Sequence, residues 1–198
     1  MGQEFAQMNE WNYKSQLDWN LLDFEAHRNM LLFSEKLNKF YLDSSPLWQN
    51  DDSWSGFSWI SNDDYKQSVI AFRRIDDDGN EIIAVCNFVP VERNDYRIGV
   101  PFKGTYKVVF NTDDKEFGGS GIGAKSYKSD DISMHSLDYS IAMTLPPLSV
   151  MYLKYTPPRK KAVKKESPAE ETPAAEKTTE EKPKRKRTSA KKKVSQNK

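Results

Sequence analysis

The stretch SVIAFRRIDDDGNEIIAVCNF, from Ser68 to Phe88, decides the fold of this chain. Two apolar runs rich in β-branched residues, Val69–Ile75 and Ile82–Phe88, flank Asp76–Asn80, whose residue types tolerate left-handed backbone angles. This pattern predicts a β-hairpin. The second run hardly alternates between apolar and polar residues. We therefore expect it to be buried on both faces, as a central strand of an antiparallel β-domain.

Five further segments have the composition of short strands, and Pro, Gly, Asn or Asp turn residues bound them. The first of these segments begins with Phe57 and Trp59, which alternate with a polar residue. The others are Tyr96–Val100, Thr105–Thr112, Ser140–Leu145 and Leu148–Tyr155. Together with the hairpin they make about seven strands, at a spacing typical of a β-sandwich. Pro146-Pro147 cannot donate to a ladder and marks the bend between the last two strands.

The segment before the first strand divides into a loop and a helix. Met1–Phe24 mixes aromatic, acidic and amide residues without a regular period, as long functional loops do. Glu25–Tyr41 carries apolar residues at spacings of three and four, which predicts an amphipathic helix. Ser44-Ser45-Pro46 should end it.

Charge separates the end of the chain from the rest. Residues 1–156 hold 15 Lys+Arg against 23 Asp+Glu, whereas residues 157–198 hold 15 against 6 and no aromatic residue. The sequence therefore predicts a disordered, low-complexity basic tail over 157–198. Clustered Lys and Arg favour polyanions, but the six glutamates and the lack of aromatics to stack on bases argue against specific nucleic-acid binding. A solubilising or weakly tethering role is the preferred interpretation.

Composition also indicates the cellular compartment. The one cysteine, Cys86, lies in the most apolar strand, where we expect a small buried hydrophobe, and it leaves no disulfide possible within the chain. No apolar run reaches the ~18 residues of a membrane span, and the first residues do not have the pattern of a signal peptide. We expect a cytoplasmic protein with no membrane partner.

The residues that could carry chemistry give weak signals. Gly118–Ser126 is similar to a phosphate-binding loop, but Ala124 separates Gly123 from Lys125 and no helix follows, so we expect a surface loop between strands. His27 and His135 lie far apart, which predicts loop or surface positions, no metal site and no cofactor.

The acidic and serine residues give no stronger signal of a catalytic site. No Gly-x-Ser-x-Gly elbow is present to anchor a Ser-His-Asp triad. Glu4, Glu10 and Asp18 share one loop. Enzymes that retain configuration at a glycosidic bond need two carboxyls held roughly 5 Å apart, and a loop alone cannot hold them there.

Ten short runs occur together in the order found in bacterial 1,4-α-glucan (glycogen) branching enzymes of the α-amylase superfamily. They are Gly2–Gln7, Glu10–Asn12, Leu17–Leu22, Leu37–Tyr41, Gly56–Ile60, Val85–Val91, Tyr96–Pro101, Asn111–Asp113, Phe117–Gly121 and Thr144–Leu148. Up to about Tyr155 the chain resembles the C-terminal part of such an enzyme. His135–Tyr139 and the tail depart from the family pattern.

The resemblance implies a mainly β chain in three parts. Residues 1–48 would be the last loop and helix of a truncated catalytic (β/α)8 barrel, with Gly2–Gln7 leaving its eighth strand. Residues 49–156 would be the C-terminal antiparallel β-sandwich, and residues 157–198 the disordered tail. Met30, Phe33 and Leu37 on the helix should then face the missing barrel.

The resemblance also implies a function. Family members cleave an α-1,4 glucan bond and transfer the segment to a 6-hydroxyl, forming α-1,6 branches in glycogen biosynthesis. They use an aspartate nucleophile, a glutamate acid/base and a second aspartate from earlier barrel strands. Those motifs are not in this sequence, so we expect no catalytic residue in this chain. We expect a natural truncation or fragment that is inactive alone, with α-glucan and the missing barrel as its partners.

The loop Glu4–Phe24 would border the glucan cleft. Trp11 and Trp19 would stack on sugar rings, and Asn12 and Asp18 would bond sugar hydroxyls. Alternatively, the two tryptophans only pin the loop to the barrel. Two other functions stay open at this point, which are a free-standing accessory or carbohydrate-binding β-domain and a protein that tethers polyanions through its tail.

Overall fold

The computed structural model describes residues 1–157, which form one helix, eight strands and five short 3-10 turns. The helix is α1 (Glu25–Leu42). The strands are β1 (Phe57–Asp64), β2 (Val69–Ile75), β3 (Glu81–Asn87), β4 (Arg93–Val100), β5 (Thr105–Asn111), β6 (Ser126–Lys128), β7 (Tyr139–Leu145) and β8 (Ser149–Thr156). The sequence predicts a disordered tail over 157–198. Residues 158–198 lie outside the described part of the chain.

The strands form two antiparallel sheets. The larger has the order β1-β2-β3-β8-β5-β6, and the smaller pairs β4 with β7. Their facing sides enclose the core, whose fully buried side chains include Val85, Ile98, Val100, Ile141 and Leu153. The prediction of a mainly β fold is confirmed. All seven predicted strands are present, and β6 is an additional one.

The hairpin is the one predicted. β2 and β3 pair from Val69↔Asn87 to Ile75↔Glu81, and Gly79 occupies the left-handed region in the turn at φ 76°. Every residue of β3 is buried, and the strand lies between β2 and β8 in the sheet. The strand therefore has the central position that its unbroken apolar pattern predicts.

A buried carboxylate holds the hairpin turn. Asp76 is 4 % exposed, and its oxygens accept hydrogen bonds from Ser45 Oγ (2.6 Å), Asn80 Nδ2 (2.9 Å) and the backbone N–H groups of Asp78 (3.1 Å) and Asn80 (2.8 Å). Ser45 belongs to the 3-10 turn Ser45–Leu47 that follows α1. The carboxylate thus ties the turn to the segment that leaves the helix.

Helix α1 packs against the outer face of the larger sheet. The ring of Phe110 lies 6.1 Å from that of Phe33 and 5.2 Å from that of Phe40, and Phe33 also meets Phe117 at 5.3 Å. The prediction that Phe33 faces a missing barrel is therefore wrong. An irregularity in β5 between Val108 and Phe110 shifts the register, so that Phe110 pairs with Tyr152 and points towards the helix.

The prediction for His27 is also wrong, because this residue is neither in a loop nor simply on the surface. It lies in α1, half-buried, and its Nδ1 donates to the backbone oxygen of Phe5 at 2.7 Å. Ser34 Oγ on the same helix donates to the oxygen of Glu4 at 3.0 Å. Together these bonds fix the first turn of the chain, with its buried Phe5 ring, on the helix.

His135 lies in a loop, as predicted, but it has a structural contact there. Its Nδ1 accepts the N–H of Gly99 at 3.1 Å, which requires the neutral ring with its proton on Nε2. Burial lowers the pKa of His135, and the nearby Asp63 and Asp64 oppose that shift only in part. A Cβ on Gly99 would lie 2.1 Å from the oxygen of Met134, so this close approach requires glycine.

No helix within residues 1–157 has both the length and the apolar character needed to cross a membrane.

Candidate functional site

An open groove of about 580 Å³ lies beside β1 and β2. Aromatic, acidic and hydroxyl side chains and one arginine line it, namely Asp51, Asp52, Ser53, Trp54, Phe57, Trp59 and Arg74. Trp59 pairs with Phe72, Phe72 with Ala84, and Ala84 with Tyr152 across the sheet. The groove therefore lies on the same outer sheet face as α1, but over the edge strands that the helix leaves uncovered.

The alternation of β1 builds the aromatic wall of the groove. Phe57 and Trp59 are two residues apart, so their side chains point to the same face, and their rings meet edge to face at 4.9 Å. Phe72 of β2 supports both rings, at 5.5 Å from Phe57 and 5.9 Å from Trp59. Trp54, in the 3-10 turn before β1, meets Phe57 edge to face at 6.3 Å.

The two tryptophans of the groove expose much of their indole rings. Trp54 is 85 % exposed and Trp59 is 47 % exposed. Large exposed aromatic rings held by packing on one side offer a preformed flat surface to an amphipathic ligand.

The polar side of the groove is fixed by Arg74. Its Nη2 donates to Asp51 Oδ1 at 2.9 Å, and its Nε donates to the backbone oxygen of Gly56 at 3.1 Å. Asp51 is mostly exposed, so this ion pair adds little stability, but the two bonds orient the guanidinium. Asp52 and Ser53 place a further carboxylate and a hydroxyl beside the aromatic wall.

The site residues predicted from the sequence lie elsewhere, in the segment before α1. Trp11 is 52 % exposed and Trp19 is 54 % exposed, and Trp19 stacks on the buried ring of Phe5 at 5.4 Å. Asp18 accepts from Asn9 Nδ2 at 2.8 Å, and Asn12 Oδ1 accepts from the backbone N–H of Lys14 at 3.0 Å. None of these residues lines the groove.

The glycine-rich stretch forms a loop between β5 and β6, as predicted. Its backbone N–H groups point at Asp113, whose carboxylate accepts from Ser120 and Ile122 at 3.0 Å each, and whose backbone oxygen accepts from Gly121 at 2.7 Å. These donors already have an anionic partner within the chain. The loop is therefore arranged around its own aspartate and is unsuited to holding a phosphate.

A second, more polar groove of about 430 Å³ lies near His135, with Asp63, Gln67 and Asp95 among its lining residues. Within residues 1–157, no three His, Cys, Asp or Glu side chains come together as possible metal ligands. Cys86 is buried in β3, and burial raises the pKa of its thiol to about 11, so it is a poor nucleophile.

Residues 59–156 match a family model described as the alpha amylase C-terminal all-beta domain. The chain is also similar to curated relatives named 1,4-alpha-glucan branching enzyme GlgB. The protein from Aquifex aeolicus is 46 % identical over 157 residues, which are 78 % of this chain and 25 % of the relative. The one from Synechococcus sp. is 43 % identical over 171 residues, or 85 % of this chain and 22 % of the relative.

The chain belongs to the 1,4-alpha-glucan branching enzyme family. A third relative, from Halothermothrix orenii, is 44 % identical over 156 residues, or 78 % of this chain and 25 % of its own length. The chain thus spans a quarter or less of the length of these branching enzymes. The strands observed within residues 59–156 agree with the all-beta description of the matched domain.

In this branching-enzyme domain, sequence reasoning missed the groove. The alternation of Phe57 and Trp59 was sufficient to predict a strand, and the adjacent Trp54 and the Asp51-Asp52 pair were the available signals for a site. Arg74 joins them only through the register Phe57↔Arg74 between β1 and β2. The groove depends on the pairing of the hairpin with β1, which the sequence alone does not show.

Proposed function

We propose that this chain is a glucan-contacting C-terminal part of a branching enzyme. The complete enzyme would cleave α-1,4 glucan and transfer the segment to a 6-hydroxyl, forming α-1,6 branches in glycogen. The names of the relatives support this activity, and the observation that carries the binding role is the exposed pair Trp54 and Trp59 beside fixed polar groups.

The chemistry of the groove suits a sugar chain. A glucose ring has an apolar C–H face, which can cover the indole faces of Trp54 and Trp59 and remove them from water. Its hydroxyls point outward around that face, where carboxylate oxygens of Asp52 can accept hydrogen bonds and the Ser53 hydroxyl can donate or accept. Several rings in sequence would be needed, because the groove is open to solvent and each contact is weak.

We also propose that the loop predicted from the sequence borders the catalytic cleft of the complete enzyme. Trp19 stacks on Phe5 and is still about half exposed, so in this proposal it both pins the loop and receives a sugar. Asp18 and Asn12 would bond hydroxyls, and Trp11 would give a second stacking surface. In this proposal residues 1–48 end the catalytic barrel, residues 49–156 form the sandwich, and the barrel is the partner of this surface.

Catalysis would then require residues outside this chain. We expect the purified chain, incubated with amylose, to form no α-1,6 linkages, as measured from the anomeric proton signals in NMR spectra. The Aquifex relative, treated in the same way, serves as the positive control. Branch formation by the chain alone would contradict this assignment.

The other two functions considered from the sequence are not favoured. The relatives are named as branching enzymes, which gives no support to a free-standing accessory module or to a protein that tethers polyanions. The tail on which the tethering hypothesis depends lies outside the described residues.

The groove can be tested by retardation in native gels containing glycogen and by calorimetry with maltoheptaose. We expect the Trp54→Ala/Trp59→Ala variant to bind about tenfold or more weakly, equivalent to about 1.4 kcal/mol, because the stacking surface is removed. Trp48→Ala is the matched control, since Trp48 is also partly exposed (44 %) but lies outside the groove.

Circular dichroism would check that both variants fold. Equal binding by the groove variant, the control and the unchanged chain would rule out the groove as a glucan site. A Trp11→Ala/Trp19→Ala variant measured in parallel would report separately on the loop.

A further inference from the structure

Arg74 is the one basic residue that lines the groove within the part of the chain that the structure describes. In the register of β1 and β2 it lies opposite Phe57, and Phe72 on the same face lies opposite Trp59. The guanidinium is therefore beside the aromatic wall, within reach of a ligand that stacks on it. The side chain of Arg74 is 16 % exposed, so protein atoms cover most of it.

The hydrogen bonds of Arg74 leave one edge of its guanidinium free. The group has five N–H donors in a rigid planar fork. Nε donates to the backbone oxygen of Gly56 and Nη2 donates to Asp51 Oδ1. Three donors remain, the two of Nη1 and the second of Nη2, and none of them has an acceptor within residues 1–157. One N–H of each terminal nitrogen points outward along the free edge, in an orientation that the two existing bonds fix.

The charge around this edge favours a neutral ligand. Asp51 already balances the positive charge of Arg74, and Asp52 adds a further carboxylate to the same groove. An anion such as phosphate would meet both carboxylates, and like charges placed side by side are unfavourable. A hydroxyl oxygen accepts from the guanidinium without this repulsion.

Two parallel donors are matched by two neighbouring acceptors. In a glucose residue inside an α-1,4-linked chain, the oxygens at C1 and C4 belong to the linkages. The hydroxyls at C2 and C3 are adjacent, whereas the hydroxyl at C6 stands alone on the opposite edge of the ring. The 2,3-diol is therefore the feature of such a residue that fits the free edge of Arg74.

We propose that Arg74 determines how glucan lies in the groove, by donating from Nη1 and Nη2 to the 2- and 3-hydroxyls of a glucose residue stacked on the aromatic wall. This inference rests on the glucan-binding role proposed above. It assigns Arg74 a specificity role that stacking on Trp54 and Trp59 does not supply, because an indole face contacts either orientation of the ring.

The orientation has a consequence for branched chains. With the 2,3-diol at Arg74, the C6 edge of the sugar points away from the guanidinium, and the groove is open to solvent. A residue that carries a branch at its 6-hydroxyl therefore fits as well as an unbranched one. The groove holds linear and branched α-glucan alike, so it retains the product of branching as well as the substrate.

Three cyclic α-1,4-glucans test the orientation by calorimetry with the full chain. They are β-cyclodextrin, its heptakis(2-O-methyl) derivative and its heptakis(6-O-methyl) derivative. We expect the unmodified and 6-O-methyl probes to bind within about twofold of each other, and the 2-O-methyl probe to bind about tenfold or more weakly, because its methyl groups block bonds to a charged donor.

Arg74→Lys separates the fork from the charge, since an ammonium keeps the charge but has no planar pair of donors. We expect the ratio between the unmodified and 2-O-methyl affinities to fall from about ten to about two or less, mainly through weaker binding of the unmodified probe. A purely structural role would weaken all three probes equally and leave the ratio unchanged. Arg73→Lys is the matched control, because Arg73 is the next residue, bonds to Glu81 at 3.3 Å and does not line the groove.

Circular dichroism would check that both variants fold. Equal affinity of the unchanged chain for the unmodified and 2-O-methyl probes would overturn the assignment of Arg74, and so would a ratio that Arg74→Lys does not change. Selective loss of the 6-O-methyl probe would show the opposite orientation and would overturn it as well. If none of the three probes binds, the glucan site itself fails and the role of Arg74 fails with it, whereas binding without discrimination refutes that role alone.

Discussion

Replacing Phe110 with alanine is expected to lower the free energy of unfolding by about 3–5 kcal/mol, the range found for large aromatic residues in cores. The ring of Phe110 joins the helix, the sheet and the 3-10 turn before the glycine-rich loop. Its aromatic neighbours, with ring centroids at 5.2 to 6.2 Å, are Phe33, Phe40, Phe117 and Tyr152. Their contacts with one another cannot fill the space that Phe110 leaves.

Urea unfolding followed by circular dichroism measures this loss. Phe102→Ala is the matched control, because Phe102 is 46 % exposed and its ring meets Tyr155 alone among the aromatic contacts of the described residues. We expect it to cost about 1 kcal/mol or less. If the two variants lost similar stability, Phe110 would not be the residue that attaches α1 to the sheet. A selective loss of helical signal before the main transition would support its role directly.

Asp76→Ala is expected to cost about 2–4 kcal/mol near neutral pH, since it removes the acceptor of four hydrogen bonds, and bonds to charged groups are the stronger kind. The variant leaves the Ser45 hydroxyl and the N–H groups of Asp78 and Asn80 without their partner. The next residue provides the control. Asp77 is exposed, and its replacement with alanine should change stability by no more than about 0.5 kcal/mol.

The effect of Asp76 should depend on pH in a defined direction. Burial alone would raise the pKa of Asp76, but hydrogen bonds from Ser45, Asn80 and the Asp78 N–H outweigh it and hold the pKa below the ordinary value of 3.8. The carboxylate therefore contributes its full stability above that value. The contribution is lost as the pH falls through the lower pKa of the folded state.

Urea unfolding of the unchanged chain and the Asp76→Ala variant along a pH series measures this contribution. The difference between the two should be constant from neutral pH down to about 4.5 and should shrink below that. A difference that stays constant under more acidic conditions would show that hydrogen bonding to the ionised carboxylate is not the source of the stability.

The sequence predicts well those elements whose own apolar pattern shows which of their faces are buried. The run Ile82–Cys86 is apolar at every position, which already describes a strand covered on both faces, and the structure places it there. Helix α1 was equally clear, and its end at Leu42 lies within one residue of the prediction. In both cases the pattern along the chain is enough, because the period of the element and the burial of its faces agree.

The features that were missed depend on residues distant in sequence. β6 has three residues and a single buried one, Tyr127, so it has no period to recognise and exists because β5 offers an edge. The side of α1 that carries Phe33 could be identified as apolar, but not what it contacts, because Phe110 reaches that side only through the register shift in β5. The groove likewise needs Arg74 and Asp51, which are 23 residues apart.

The position of β8 has a consequence for how the molecule is made. Within residues 1–157 β8 is the last strand in sequence, yet it lies between β3 and β5. During synthesis from the N-terminus, two half-sheets, β1-β2-β3 and β5-β6, therefore emerge from the ribosome before the strand that joins them. Both halves expose an open strand edge at that stage, which is the surface through which nascent chains pair wrongly with each other.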